Sequence, residues 1–271
     1  MTRLSKSHPR YASLRTRAAL AVLAREGLVA PEGLIAHGRG EAFDYFLGER
    51  TSPSAARAIR AAARWLIRAE HPVVSVNGNV AALAAPEVAR LQAACPGLLV
   101  EVNLFHRTPK RAQQVARRLT RAGVVGVLGV HPSARIPGLA SDRALVDRRG
   151  ILLADVCLVP LEDGDRTAAL RRMGKRVIAI DLNPLSRTSE TADLPIVDEL
   201  TRALDRLSKE LRRIGPPRPG PFPPFDAAGA LRAARRAMAV RLNAPRGRPS
   251  AARRASSRPR QGTPRRSRRT P

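Results

Sequence analysis

The fold is decided by the stretch Val73-Val74-Ser75-Val76-Asn77-Gly78-Asn79. Its first four residues are mostly β-branched and predict a short strand. The Asn-Gly-Asn that follows predicts a turn, and the alanine-rich residues after it can open a helix. A strand, a polar turn and a helix in this order are the repeating unit of a parallel sheet covered by helices.

Similar units lie on both sides of this stretch. Upstream, apolar residues at three- and four-residue spacing predict a helix over 54–68, behind Thr51 or Ser52 as cap and Pro53 in the first turn. Downstream, we predict strands at 98–102, 155–159, 176–180 and 194–197, helices at 108–122 and at 165–173 with Asp165 as cap, and a further apolar run at 124–130. This alternation favours an α/β fold, a doubly wound parallel sheet with helices on both faces, over residues 1–215.

The last element of this region is a heptad-like stripe of Leu200, Leu204, Leu207, Leu211 and Ile214. Apolar residues at this spacing form one face of a helix. That face can pack on the sheet or against a second subunit, and the spacing does not separate the two.

The composition excludes a wholly disordered chain, because 44% of the 271 residues are hydrophobic. The net charge is +27, and residues 216–271 contribute about half of it, with fifteen Arg against the single acid Asp226. We predict that this Pro/Arg-rich tail is disordered, most clearly from Ala244 onward. Its charge has two open interpretations, a general bias of composition toward Arg or a weak, salt-sensitive contact with nucleic acid.

Other features place the chain among cytoplasmic proteins. It has no run of eighteen apolar residues and no apolar core near its first residue, so we expect neither a membrane span nor a signal peptide. Cys95 and Cys157 lack the spacing of a disulfide framework or a metal site and are predicted to be core residues.

Function is expected in the polar turns, since ligands of doubly wound folds bind at the carboxyl ends of the strands. Neither a Gly-x-x-x-x-Gly-Lys-Ser/Thr loop nor a Gly-x-Gly-x-x-Gly fingerprint is present, so a nucleotide must be bound differently. Five turns carry the candidate residues: 37–41, 77–79, 103–108, 162–167 and 181–188.

Two of these turns suit an anion. Glycines on both sides of Arg39 would let the backbone approach a phosphate, although the spacing alone favours a surface turn with an Arg ion pair. Asn77 and Asn79 stand before a helix whose positive end attracts anions, or they serve only as a cap. His37, beside Arg39, is the one histidine that we place near chemistry.

The other turns suit a nucleotide and its metal. Glu162, Asp163 and Asp165 offer carboxylates for magnesium beside a triphosphate, with helix capping as the alternative. The stretch 181–188 combines an acid, an amide, hydroxyls and an Arg, which suits ribose hydroxyls and phosphates.

Five segments closely resemble the archaeal 4-phosphopantoate:beta-alanine ligases, also called phosphopantothenate synthetases. The resemblance runs from about residue 4 to about residue 213, and the Arg/Pro tail lies outside it. The matching strings are Lys6-Ser7-His8-Pro9-Arg10-Tyr11, Gly33 through Tyr45, Ser75 through Leu83, Pro160 through Thr167 and Asp181 through Thr188.

The resemblance implies a Rossmann-like ligase domain over 1–215, a homodimer and a reaction that uses ATP and magnesium. In that family the carboxylate of 4-phosphopantoate attacks the α-phosphate of ATP to give an acyl adenylate. The amine of β-alanine then displaces AMP and forms 4-phosphopantothenate, an intermediate of coenzyme A biosynthesis.

The resemblance and the chemistry of the turns together give a set of site residues. Arg39, His37 and Asp163 are predicted to act in catalysis, with Arg39 and Arg187 on phosphates and Asp181 to Asn183 on the ribose. The ATP contacts implied by the resemblance are Arg17, Arg39, Asp181, Leu182, Asn183, Arg187, Thr188, Glu199 and Leu200. Asn77, Asn79 and Arg107 are the candidates for 4-phosphopantoate.

One position departs from the family pattern. Glu199 stands where the relatives have Asn, which is harmless if ATP is bound through the main chain and affects adenine selectivity if it is bound through the side chain. Two rival functions are a small-molecule kinase, which would release ADP, and nucleic-acid binding through the tail, which the few aromatic residues disfavour.

Overall fold

The centre of the molecule is a five-stranded parallel sheet. The structure is a computed structural model and describes Ser5, Ser7, His8 and residues 10–244. The helices are α1 Tyr11–Arg25, α2 Pro31–Leu47, α3 Pro53–Arg68, α4 Gly78–Ala94, α5 Pro109–Arg121, α6 Gly164–Arg172, α7 Arg187–Thr191, α8 Leu200–Ile214 and α9 Ala227–Asn243. The strands are β1 Pro72–Val76, β2 Leu99–Val102, β3 Ala134–Arg135, β4 Leu145–Val146, β5 Val156–Pro160, β6 Arg176–Ile180 and β7 Leu194–Ile196.

The strand order of the sheet is β2-β1-β5-β6-β7, and all of its pairs are parallel. The chain moves from β1 to β2 on one side and returns to place β5 on the other side of β1. The order therefore reverses between β1 and β5, which is the place where doubly wound sheets bind ligands. This confirms the predicted α/β fold.

Helices cover both faces because alternate side chains of each strand point to opposite sides. On one face Val74, Leu158 and Ile178 join a core with α3, α4 and α8. On the other face Val73 and Cys157 join a core with α6 and the segment 134–152. Both cysteines are buried, as predicted, and burial raises the pKa of Cys95 to about 11 and that of Cys157 to about 12.

The predicted helix starts are confirmed where a short polar side chain precedes Pro. The Ser52 hydroxyl accepts a hydrogen bond from Ala55 N at 3.1 Å, and the Thr108 hydroxyl accepts one from Arg111 N at 3.1 Å. The stripe on α8 packs within this chain, because Leu200, Leu204, Leu207 and Leu211 are buried in the core with α3 and α4. Among the described residues, no helix combines the length and the apolar composition that crossing a bilayer requires.

The apolar run 124–130 does not form a strand and makes a single bridge to the sheet, because Gly126 and Gly129 have φ of +63° and +78°, which interrupt an extended chain. Two local predictions are wrong. Helix α6 is capped by Asp163 rather than Asp165, and the Asp163 carboxylate accepts a hydrogen bond from Arg166 N at 2.7 Å.

The second error concerns residues 37–41, which form the middle of helix α2 instead of a turn. Of the three glycines of α2, Gly33 is the one that is closely packed. A Cβ at Gly33 would lie 2.2 Å from Asn79 Oδ1, whereas one at Gly40 would make an ordinary contact with Leu182 Cδ1 at 3.8 Å and one at Gly38 would lie in open space. Helix α2 therefore needs a small residue where it passes α4.

The C-terminal region is ordered farther than its composition predicts. Residues 216–226 run along α3, where the Trp65 indole N–H donates to Pro223 O at 2.8 Å. Helix α9 then buries Leu231, Ala234 and Met238 against Leu47, Leu182 and Val197. The prediction of a disordered tail is therefore wrong for 216–244, and its remainder, 245–271, lies outside the described residues.

Candidate functional site

A large cavity opens at the switch point of the sheet, with a volume of about 820 Å³. Cavities of this size hold drug-sized ligands. The ends of β1 and β5 form its floor, and α2, the start of α4 and the start of α8 form its walls. The turn after β6 contributes Leu182.

Asn77 joins the two strand ends that flank the switch point. Its Oδ1 accepts a hydrogen bond from Val80 N at 3.0 Å and caps α4, while its Nδ2 donates to Leu161 O at 2.9 Å. Asn79 reaches the opposite wall, where its Nδ2 donates to Gly33 O at 2.7 Å. The Asn-Gly-Asn turn thus holds three elements around the cavity.

The turn after β5 contains a cluster of charges. Glu162 accepts hydrogen bonds from Arg143 Nη1 and Arg166 Nη1, and it is only 2% exposed. Arg166 is fully buried, and its Nη1 also donates to Ser75 Oγ on β1 at 3.0 Å. Asp163 lies at the cavity edge with Oδ2 3.1 Å from Arg143 Nε.

These carboxylates differ in their proton affinity. Burial alone would raise the pKa of Glu162, but the charges of Arg143 and Arg166 outweigh it and lower the pKa. Burial and then the charge of Glu162 raise the pKa of Asp163. Glu162 is therefore a fixed negative charge that orients two guanidinium groups, whereas Asp163 is the more readily protonated group of the pair.

Helix α2 brings His37, Arg39 and Glu41 to the cavity. Glu41 accepts a hydrogen bond from Tyr45 Oη at 2.6 Å and one from Arg17 Nε at 2.8 Å. Burial would raise the pKa of Glu41, but hydrogen bonds from Ser13, Tyr45 and Arg17 lower it to about 2. Burial lowers the pKa of His37, which favours a neutral imidazole.

The turn after β6 is tied together by its own side chains. Asp181 accepts hydrogen bonds from Asn183 N at 2.9 Å and Ser186 Oγ at 2.5 Å. Burial raises the pKa of Asp181, while those two bonds and the charge of Arg39 act in the opposite direction. Arg39 on α2 therefore lies within electrostatic reach of the segment that the resemblance assigns to ATP.

Glu199 is the cap of α8. Its carboxylate accepts hydrogen bonds from Thr201 N at 3.0 Å and Arg202 N at 2.9 Å. Arg202 Nη2, in turn, donates to Asp44 Oδ1 on α2 at 2.6 Å and to Asp198 Oδ1 at 2.9 Å. Glu199 thus places a charged acceptor at a helix N-terminus, where it is favourable.

The structure brings part of the predicted site together and leaves part of it outside the cavity. The cavity-lining residues among the predicted set are His37, Arg39, Asn77, Asn79, Asp163, Leu182, Glu199 and Leu200. The predicted residues that do not line it are Arg17, Arg107, Asp181, Asn183, Arg187 and Thr188.

Three of these outer residues have structural partners. Arg107 Nη2 donates to Gly129 O at 2.5 Å and Val130 O at 2.7 Å, so it fastens the segment after β2. Arg187 pairs with Asp165 on an exposed surface, and Thr188 Oγ1 donates to Glu162 O at 2.7 Å.

Sequence reasoning missed three arginines that line the cavity, Arg111, Arg143 and Arg202. They stand in no motif and are separated by dozens of residues, so composition offers no signal for them. The one available hint is that Arg111 follows the predicted cap Thr108 and therefore lies in the first turn of α5.

No group of three or more His, Cys, Asp or Glu side chains that could hold a metal occurs among the described residues. Glu162 is paired with two arginines and Asp165 with Arg187, so the acidic stretch does not form the carboxylate cluster that a protein-held magnesium needs. These donors fit a magnesium that is bound mainly by phosphates and water.

A doubly wound sheet with a large cavity at its switch point, lined by arginines and by carboxylates, is the arrangement of an α/β protein that binds small molecules. A family model described as phosphopantothenate/pantothenate synthetase matches residues 54–218. The chain belongs to this family.

Curated relatives agree with this assignment. The protein named "4-phosphopantoate--beta-alanine ligase" from Methanospirillum hungatei is 56% identical over 206 residues, which cover 76% of this chain and 84% of the relative. The proteins of the same name from Thermococcus kodakarensis and Methanosarcina mazei are 52% identical over 215 residues and 54% over 209, covering 79% and 77% of this chain and 82% of each relative. The resemblance seen in the sequence is thereby confirmed.

Proposed function

We propose that this enzyme condenses 4-phosphopantoate with β-alanine to 4-phosphopantothenate in an ATP-dependent, AMP-forming reaction of coenzyme A biosynthesis. The proposal takes its substrates from the names of the relatives. The observation that carries it is the one cavity lined by Arg39 on α2 and by Arg111 and Arg143 beside α4. Two anionic substrates must meet in such a reaction, and cations on opposite sides of one cavity offset their repulsion.

The dimensions of the cavity suit two ligands. Helix α2 touches Asn79 through Gly33 and approaches Leu182 through Gly40. Seven residues of helix separate these points by about 10 Å, given a rise of about 1.5 Å per residue. ATP at the Leu182 end and the hydroxy acid at the Asn79 end would face each other across this distance.

The proposed chemistry has two steps. The carboxylate of 4-phosphopantoate attacks the α-phosphorus of ATP, which gives an acyl adenylate and pyrophosphate. The amine of β-alanine then attacks the activated carbonyl and AMP leaves with the carboxyl oxygen. A neutral His37 imidazole or an ionised Asp163 carboxylate can accept the proton of the amine, since both line the cavity.

The remaining roles stay predictions. Arg39 is assigned to ATP phosphates, the Asp181 to Asn183 segment to the ribose, and magnesium is expected to arrive on the phosphates of ATP. Arg17, Arg187 and Thr188 would have to leave or extend their present contacts to touch the nucleotide. Location in the cytoplasm is likewise predicted from the sequence alone.

We also propose a homodimer, as the resemblance implies. Helix α2 carries apolar side chains on its outer side, among them Ile35, which is 71% exposed. Sedimentation equilibrium of the full chain should give twice the mass of 29.3 kDa. A monomer at micromolar concentration would contradict the proposed dimer and would not bear on the proposed ligase activity.

The activity is tested with ATP, magnesium, 4-phosphopantoate and β-alanine, following AMP and 4-phosphopantothenate by mass spectrometry with each substrate omitted in turn. Both products should form only in the complete mixture. The acyl adenylate is tested separately, because it predicts exchange of labelled pyrophosphate into ATP that needs 4-phosphopantoate and not β-alanine. ADP as the product would instead indicate a kinase.

Arg39→Ala should lower kcat/KM about tenfold or more, since a charge-assisted contact with phosphate is lost. Arg117→Ala is the matched control, because Arg117 lies exposed on α5 outside this cavity. Equal rates for both variants would remove Arg39 from the site.

A further inference from the structure

We propose that Arg143 and Arg111 form a subsite for a phosphate monoester at the α4 end of the cavity, and that this subsite selects the phosphorylated hydroxy acid. The inference rests on the proposed function, which supplies 4-phosphopantoate as the substrate. It replaces Arg107, the arginine that the sequence suggested for this substrate.

Arg143 is nine-tenths buried and still lines the cavity. Asn103, at the end of β2, donates from Nδ2 to Arg143 O at 3.1 Å and fixes the turn that carries it. The side chain bonds Glu162 through Nη1, and its Nε is paired with Asp163 at 3.1 Å. Within residues 10–244, Nη2 of this guanidinium donates no hydrogen bond, so one donor at the cavity remains for a ligand.

Arg111 approaches the same end from α5. Its Nε donates to Leu28 O at 3.2 Å and its Nη1 to His106 O at 2.6 Å, so main-chain carbonyls hold it without neutralising its charge. Its Nη2 lies 2.8 Å from the position that a Cβ would occupy at Gly78, the first residue of α4. The guanidinium therefore stands beside the positive N-terminal end of α4, whose first segment runs to a kink at Ala84.

The two arginines repel each other. Burial and then the charge of Arg143 lower the pKa of Arg111. Positive groups held close together at a partly buried site are stabilised by an anion between them. A phosphate monoester carries close to two negative charges at neutral pH and presents oxygens to both guanidinium groups.

The carboxylates at this end balance the cations and are already engaged. Arg111, Arg143 and Arg166 face Glu162, Asp163 and, on the side of α2, Glu32, so the formal charges sum to zero before a ligand binds. Glu162 accepts hydrogen bonds from Arg143 and from fully buried Arg166, and Arg166 also donates to Ser75. Glu162 and Arg166 thus act as positioning residues that aim Arg143 at the cavity.

The test measures KM for 4-phosphopantoate and for ATP in the full chain and in Arg143→Ala, Arg143→Lys and Arg111→Ala. Arg143→Ala should raise KM for 4-phosphopantoate about tenfold or more, because a charged hydrogen bond to phosphate is lost, while KM for ATP changes less than about twofold. Arg143→Lys should fall between wild type and Arg143→Ala, since it keeps the charge and loses the planar fork. Arg117→Ala is the control on α5.

Two further measurements distinguish a role of Arg143 in binding phosphate from a purely structural role. Inorganic phosphate should inhibit the wild type competitively against 4-phosphopantoate, and Arg143→Ala should lose this inhibition. Unphosphorylated pantoate, added as a competitor, should inhibit wild type and variant alike. If Arg143→Ala does not fold, the same pattern is expected of Arg111→Ala.

A rise in KM for ATP of the same size as that for 4-phosphopantoate would overturn the subsite, because the bound phosphate would then belong to the nucleotide. Unchanged KM values in both alanine variants would overturn it as well. If the proposed ligase function itself were wrong, the result would differ from both of these, because the wild type would make no 4-phosphopantothenate.

Discussion

The two sides of the cavity are built in different ways. The strand-end side consists of buried groups that are bonded to one another, such as Asn77, Glu162 and fully buried Arg166. The side formed by α2 has only Asp44 and Leu47 buried among 17 residues and leaves Ile35 largely exposed. The strand-end side is a fixed frame, whereas α2 is attached to that frame at a few points.

Those points of attachment lie along the whole of α2. Asn79 Nδ2 donates a hydrogen bond to Gly33 O, and Arg202 Nη2 donates one to Asp44 Oδ1. Arg241 on α9 donates from Nε to Tyr45 O at 2.9 Å. The end of the cavity that we propose for ATP therefore depends on α8 and α9, and the other end depends on the sheet. Substitutions in the frame should mainly lower the free energy of unfolding, and substitutions at the points of attachment should mainly raise KM for the substrates.

The largest effect is expected in the frame. Glu162→Ala leaves Arg166 buried without its carboxylate, which should lower the free energy of unfolding by about 3–5 kcal/mol. Asp165→Ala, three residues along, breaks an exposed pair with Arg187 and should cost no more than about 1 kcal/mol. Urea denaturation of both variants measures the difference, and equal losses would mean that burial of the pair does not matter.

The next effect separates α9 from the tail. Ending the chain at Gly215 removes the side chains of Leu231, Ala234 and Met238 that cover Leu47, Leu182 and Val197. We expect a loss of roughly 3 kcal/mol, at about 1.5–3 kcal/mol for each large buried side chain, and a raised KM for ATP. Ending it at Ala244 keeps α9 and should leave both quantities unchanged.

A tail disordered over 216–271 would make removal of everything after Ile214 harmless, whereas the buried residues of α9 predict a loss. Arginines and alanines dominate this helix, so its composition resembles that of the tail beyond it. Its apolar contacts come from only three buried positions, 231, 234 and 238, a spacing of three and four. A truncated enzyme with wild-type KM for ATP and stability would restore the original prediction.

Elements with strong local signals were predictable, and surfaces assembled from distant segments were not. Strand β6 and helix α3 follow directly from β-branched residues and from apolar spacing behind a Ser-x-x cap. Helix α2 was missed because glycine is a poor helix former, and Gly33 serves a contact with Asn79 on α4 that only the folded chain contains. Arg143 and Arg111 belong to the site only because the turn before β4 and helix α5 carry them there.

A third, smaller effect lies within α2 itself. Gly33→Ala places a methyl group against buried Asn79 and should cost about 1 kcal/mol or more, despite the better helix propensity of Ala. Gly38→Ala is the matched control, because nothing lies within 4 Å of its Cβ, and it should stabilise by about 0.5–1 kcal/mol. Thermal unfolding should therefore shift in opposite directions, and KM for 4-phosphopantoate should rise only in Gly33→Ala.

The smallest expected effect concerns how stability depends on pH. It compares one carboxylate from each region, Glu41 on α2 and Glu101 on β2. Hydrogen bonds from Ser13, Tyr45 and Arg17 lower the pKa of Glu41 on α2 from 4.5 to about 2, although burial acts in the opposite direction. Between pH 2 and 4.5 the unfolded chain therefore binds more protons than the folded chain. Its contribution to stability is present above pH 4.5 and is lost as the pH falls toward 2. Glu101 on β2 is fully buried, and burial raises its pKa from 4.5 to about 7 although Ile151 N and Asp147 N donate to it.

The sign for Glu101 is therefore reversed. The folded chain holds the extra proton between pH 4.5 and 7, so this group favours folding most below pH 4.5 and loses that contribution as the pH rises to 7. In urea titrations, Glu41→Gln should flatten the acid side of the stability profile, and Glu101→Gln the side from 4.5 to 7. Exposed Glu70→Gln should change neither. Profiles that move together would show that both carboxylates sit in one electrostatic environment, and the division into a buried frame and an attached helix would fail.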